Sequence, residues 1–153
     1  MVLLGGSLAS LAGRVILFSL GHVVAMAVAF ALAVPTNVFS ELAVAATVVW
    51  AGWVVWSRAA QPEAMSRVAM VFCGCVHGVA FGTELFMLMG SPDGLLWPLV
   101  GFGAGLDLAQ LLYVGLLWAL WRMWPKGGRR TATRVIAAGV ALTGVVMGCA
   151  AVL

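Results

Sequence analysis

The sequence predicts an all-α membrane protein, a polytopic bundle of about five transmembrane helices. Three observations predict it. Of 153 residues, 64% are hydrophobic and only 8% are charged, against about 25% charged in a soluble domain. The apolar residues gather in five stretches, each near or above the roughly 20 residues that a helix needs to cross the hydrocarbon core. Turn residues and nearly all cations fall between those stretches. Helices are expected rather than a membrane barrel, because the alternating polar residues that line a barrel lumen are missing from the sequence. The length allows one domain, residues 1–153.

The first span is read from about Leu8 to Val34 and the second from about Val38 to Trp56, with Pro35, Thr36 and Asn37 as the break between them. Ser57 to Arg67 leads to the third span, about Val68 to Gly90. Ser91, Pro92, Asp93 and Gly94 form a turn before the fourth, about Leu95 to Trp121, whose first turn tolerates Pro98. Trp124 to Arg134 is the longest polar stretch and precedes the last span, about Thr133 to Leu153. Ala31-Leu32-Ala33 has the small-x-small form of a leader cleavage site. The charged start of a leader is missing, however, and the apolar stretch is long, so the segment is read as a span. Cys73, Cys75 and Cys149 lie inside apolar segments and are expected to be small buried hydrophobes without a disulfide framework. The C-x-C spacing is too short and isolated to be a zinc signature.

Orientation follows from Lys and Arg. Arg58 and Arg67 flank the second connection, and Arg122, Lys126, Arg129, Arg130 and Arg134 surround the fourth. Seven of the eight cations thus share one side, with Arg14 as the exception. The second and fourth connections are expected in the cytoplasm of a bacterial inner membrane, with both chain termini outward. Trp50, Trp53, Trp56, Trp118, Trp121 and Trp124 cluster near the cytoplasmic ends, as an interfacial belt would. The few charges exclude a soluble enzyme, a disordered chain and a nucleic-acid-binding domain, and no nucleophile–base motif suggests catalysis. The lipid bilayer is the first partner implied.

The ionisable residues inside the spans are His22, Glu41, His77, Glu84 and Asp107. Each costs about 2.5–3.5 kcal/mol at the bilayer centre, so such groups face the bundle interior and have partners. His77 and Glu84 are seven residues apart on one helix face, about 10 Å along the axis. Asp107 and Gln110 share a face of the fourth span. Glu41 lies near the outward end of the second, and His22 near the middle of the first. Together they could line one cavity in the outer half of the bundle, with His22, His77 and Asp107 around a shared pocket and Glu41 at its mouth. Imidazole and carboxylate suit a borderline divalent ion such as nickel, cobalt or zinc. Blander readings stand beside this one. A buried His often only donates to a carbonyl, and Glu41 can be an end charge favoured by the helix dipole. Arg14, placed nearer the outer interface, is a candidate counter-ion. Gly74, Gly78 and Gly82 have small-xxx-small spacing, which alone means close helix packing.

Four short motifs fall in an order that resembles one family. They are Phe18-Ser19-Leu20-Gly21-His22, Glu41-Leu42-Ala43-Val44-Ala45-Ala46-Thr47, Phe72-Cys73-Gly74-Cys75-Val76-His77-Gly78-Val79-Ala80-Phe81, and Phe102-Gly103-Ala104-Gly105-Leu106-Asp107-Leu108-Ala109-Gln110. They are similar to F-T-x-x-H-S, V-E-x-x-I-A-x-S, F-G-L-x-H-G-x-G-F-A and F-N-x-G-V-E-x-G-Q of the HupE/UreJ family, the hydrogenase and urease accessory membrane proteins. The resemblance implies nickel or other transition-metal uptake, with His22, Glu41, His77 and Asp107 kept as candidate ligands and Glu84 added by its position. The chain departs from the pattern at Val23, Gly103 and the shortened Asp107. It also lacks a counterpart of the family's opening G-x-D-H-L-L-F motif, so a divergent, N-terminally truncated member is expected. The main alternative is a non-catalytic accessory subunit of a larger membrane enzyme, respiratory complex or homo-oligomer. In that case small positions such as Gly78 would pack between chains. A further alternative is a b-type haem protein with His22 and His77 as axial ligands.

Overall fold

The computed structural model describes residues 8–35, 37–57, 63–89 and 96–153. They form five long helices: α1 (Leu8–Ala31), α2 (Val38–Ser57), α3 (Glu63–Met89), α4 (Leu96–Met123) and α5 (Arg129–Ala150). A single 3-10 turn, Lys126–Gly128, precedes α5. All five helices are long and apolar enough to cross a membrane. In hydrocarbon each backbone N–H and C=O must find its partner within the chain, and a helix does this locally. No strand occurs among the described residues.

The helix ends reflect local chemistry. The Ala33 and Val34 amides bond the Phe30 and Ala29 carbonyls at 3.0 Å each, with Ala33 in the left-handed region at φ 47°. This is a Schellman stop, which usually prefers glycine, and Pro35 prevents the helix from resuming. Asn37 then caps α2, its Oδ1 accepting the Ser40 amide at 3.0 Å. At the far end of α4, the Arg129 guanidinium donates to the carbonyls of Trp124 and Arg122 at 3.1 Å, satisfying acceptors that the helix leaves open. Two helices begin earlier than the apolar pattern suggests, α3 at Glu63 and α5 at Arg129. Their first turns are polar, and Glu63 pairs with Arg67 at 2.7 Å one turn on. A count of apolar residues finds only the part of a helix that lipid surrounds. Thr36, Arg58 and the Ser91–Gly94 turn lie outside the described residues.

Two helix pairs build the bundle. α1 and α3 run parallel in backbone contact. A Cβ on Gly21 would meet the Val71 carbonyl oxygen at 2.5 Å, and one on Gly82 the Met26 carbonyl oxygen at 2.6 Å. At Gly74 and Gly78 it would overlap the carbonyl oxygens of Phe18 and His22. The small-xxx-small spacing therefore serves packing inside the chain, and Gly78 is not available between chains. α2 and α5 run antiparallel, with Gly52 against Ala137 and Ala141, and Gly144 against Val49 and Ala45. Contacts between α2 and α3 join the pairs, and α4 packs mainly on α1. Leu11, Met26 and Phe30 are buried, and Phe30 meets Phe86 edge-on at 5.5 Å. Most other large apolar side chains point outward, as expected where lipid is the solvent. Cys73 is buried, but Cys149 is exposed on α5, contrary to the expectation of a buried hydrophobe.

The expectation of two outward termini is corrected. Five crossings leave the two chain ends on opposite sides. Arg14, near the start of α1, lines a cleft with Glu63 and Arg67 at the start of α3. Ala150 and Ala151 line another with Glu41 and Glu84. The described cations, Arg14 included, thus gather at one end of the bundle, and Arg14 is not near the end that carries Glu41. Tryptophans accompany them: Arg122 lies over Trp118 at 5.3 Å, and Arg129 over Trp121 and Arg134 over Trp56 at 5.9 Å each.

Candidate intramembrane site

His22 reaches its position because α1 and α3 touch at backbone level. With no side chain on Gly74 or Gly78, the His22 turn of α1 sinks against α3. The imidazole is only 1% exposed. Phe18 stacks on it at 5.9 Å, and Phe81 of α3 meets it edge-on at 5.3 Å. Neither Nδ1 nor Nε2 has a hydrogen-bond partner, and Asp107 Oδ1 on α4 is likewise buried and without one. An unsatisfied buried polar group costs about 1–3 kcal/mol. α1 thus carries a buried imidazole, and α4 a buried carboxylate oxygen, without the hydrogen bonds that would stabilise them.

His77 also meets the Phe18 ring, edge-on at 5.7 Å. Thr47 of α2 stands 2.9 Å from its Nε2. The Thr47 hydroxyl also stands 2.7 Å from the Val44 carbonyl, and its one proton can serve only one of the two neighbours. When the carbonyl takes it, the oxygen accepts from Nε2–H and the lone pair is on Nδ1; in the other tautomer the hydroxyl donates to Nε2. His77 also lines a cleft of about 420 Å³ at the end opposite the cations, together with Glu41, Glu84, Phe81 and the end of α5.

The five candidate residues thus fall into two groups. Glu41, His77 and Glu84 line one open cleft, while the buried His22 and the half-buried Asp107 do not line it. Phe81 lines the cleft and also meets the His22 ring, so it touches a member of each group. Among the described residues no three His, Cys, Asp or Glu side chains converge closely enough to hold a metal ion. A haem plane between the imidazoles would need room where the α1 and α3 backbones already touch. The sequence reading did not single out Thr47, although it is the only hydroxyl between Glu41 and Ser57 on α2. Phe18 and Phe81 stand in the motifs without a role of their own, because an aromatic in an apolar span carries no signal by itself.

The family model described as HupE / UreJ protein matches residues 1–152, essentially the whole chain. No curated protein and no solved structure matches at a significant level.

Proposed function

The chain belongs to the HupE/UreJ family, and from that premise we propose that it carries a divalent transition-metal ion, nickel first, into or across the membrane. The observation that carries this reading is that both ring nitrogens of His22 and the Oδ1 atom of Asp107 are buried without hydrogen-bond partners. A cation would satisfy both at once, the imidazole nitrogen and the carboxylate oxygen being ordinary ligands for nickel, cobalt or zinc. Glu41 and Glu84 in the open cleft would draw the ion in, and His77 would receive it on Nδ1. From there the ion would move on to His22, whose ring Phe81 meets. Under the positive-inside rule the cationic end faces the cytoplasm, so the cleft opens outward. In a bacterial inner membrane that is the side of uptake.

The test is nickel, cobalt and zinc binding by the full chain in detergent, with helicity followed by circular dichroism. Wild type should bind, and His22→Ala, His77→Ala and Asp107→Asn should each lose affinity while staying helical. Equal, negligible binding by all four folded proteins would sink the proposal.

A second reading, an accessory subunit of a larger membrane complex, is favoured by one observation. α4 leaves most of its surface open: Trp97, Leu112, Tyr113 and Leu116 are exposed, and Gly101 and Gly105 have nothing within contact distance. Absent metal binding together with a stoichiometric co-purifying partner would favour it.

A further inference from the structure

We infer that the cleft between the cationic ends of α1 and α3 seats one anionic phospholipid, with Arg14 and Arg67 on its phosphate and the apolar wall below them on its acyl chain. The cleft has a volume of about 680 Å³, within the roughly 300–1,000 Å³ of ligand sites. Arg14 enters from α1 and Arg67 from α3. Glu63 lies beside them and pairs with Arg67 at 2.7 Å through one nitrogen, Nη2. A guanidinium has five N–H donors, so this pair positions Arg67 and leaves donors over. Among the described residues that line the cleft, Arg14 and Arg67 are cationic and Glu63 is the one carboxylate.

The depth of the charges fits a headgroup. Arg67 lies one turn, about 6 Å, inside the start of α3, and Arg14 about 9 Å inside the described start of α1. Beyond them the walls become apolar, with Leu17, Val71 and Phe72. Phe72 and Val68 are 63% and 69% exposed, so this wall is open to the bilayer. The floor is open too, since a Cβ on Gly13 would meet nothing within 4 Å. A free phosphate would use the arginines and leave the apolar wall bare. A zwitterionic lipid would use the wall and set its cationic group among cations. An anionic phospholipid matches both parts, and basic pockets between helices on the cytoplasmic side suit such headgroups. The inference is independent of the metal reading.

The experiment is native mass spectrometry of the full chain in detergent, titrated with phosphatidylglycerol or phosphatidylcholine. Phosphatidylglycerol should be retained more strongly. Arg14→Gln and Arg67→Gln should each weaken it about fivefold, the effect of one cation near a charged headgroup layer, and leave phosphatidylcholine unchanged. Arg130→Gln, an exposed cation at the same end, should change neither. Equal retention of the two lipids, an equal loss in Arg130→Gln, or complete displacement by millimolar inorganic phosphate would each overturn the inference. Should circular dichroism show either arginine variant unfolded, Gly13→Leu answers the same question by filling open space. It should abolish the preference for phosphatidylglycerol, and an undiminished preference would overturn the inference.

Discussion

One proton on Thr47 decides which nitrogen of His77 is free. When the hydroxyl gives its hydrogen to the Val44 carbonyl, 2.7 Å away, it accepts from His77 Nε2 at 2.9 Å and Nδ1 is the free nitrogen. Thr47→Val removes that acceptor at nearly constant volume, while Thr47→Ser keeps it. Loss of one such bond costs about 0.5–1.5 kcal/mol, too little to unfold the bundle. Partners that orient a ligating imidazole typically contribute 10–100-fold in metal affinity. Thr47→Val should therefore bind nickel at least tenfold more weakly and lose the Nε2–H signature of His77 in nitrogen NMR, whereas Thr47→Ser should retain both. Unchanged affinity in Thr47→Val would show that the hydroxyl does not orient a ligand. The sequence exposed the ionisable residues of this region because each is expensive in lipid. It could not show their grouping. Whether His77 meets Asp107 or Glu41 depends on how α3 is rotated, and that is set by backbone contacts at Gly74 and Gly78, not by the charged residues themselves.

Each helix was legible as an element, because a run of apolar residues bounded by Pro, Asn or cations has few other solutions. Which helices pair was not. Small residues occur on α1, α3, α4 and α5 alike, yet only some of them face a neighbour. Gly78 and Gly101 give the contrast. A Cβ at Gly78 overlaps the His22 carbonyl oxygen of the neighbouring helix, and one at Gly101 meets nothing. Gly78→Ala must push α1 and α3 apart and should cost about 1–3 kcal/mol, as overpacking does. It should also disturb His22, whose turn rests on that glycine. Gly101→Ala should be neutral or slightly stabilising, since alanine favours a helix over glycine by up to about 1 kcal/mol. Unfolding in mixed micelles, followed by circular dichroism, would measure both. Equal stability of the two variants would mean that α1 and α3 are not in backbone contact.

At the scale of the whole molecule, charge and topology agree only once the crossings are counted. Arg14 looked like a cation on the wrong side because both termini were expected outward. With α1 and α3 parallel, the start of α1 shares its end of the bundle with the start of α3, and Arg14 lies by Glu63 and Arg67. The exception disappears, and every described cation lies at the end that the positive-inside rule assigns to the cytoplasm. The tryptophans beneath Arg122, Arg129 and Arg134 mark the same interface. The opposite end has Asn37 and Ala151, together with the cleft of Glu41 and Glu84. This arrangement makes a directional statement, since under the same rule the cleft of Glu41 and Glu84 opens away from the cytoplasm. Single cysteines in a chain whose Cys73, Cys75 and Cys149 are replaced by alanine would test it. In intact cells a membrane-impermeant thiol reagent should label Asn37→Cys and Val152→Cys. It should reach Ala9→Cys and Gly127→Cys only after the membrane is opened. If Ala9→Cys is labelled from outside while Gly127→Cys is protected, α1 does not cross in this direction. The parallel α1–α3 pair would then be wrong, and with it the burial of His22.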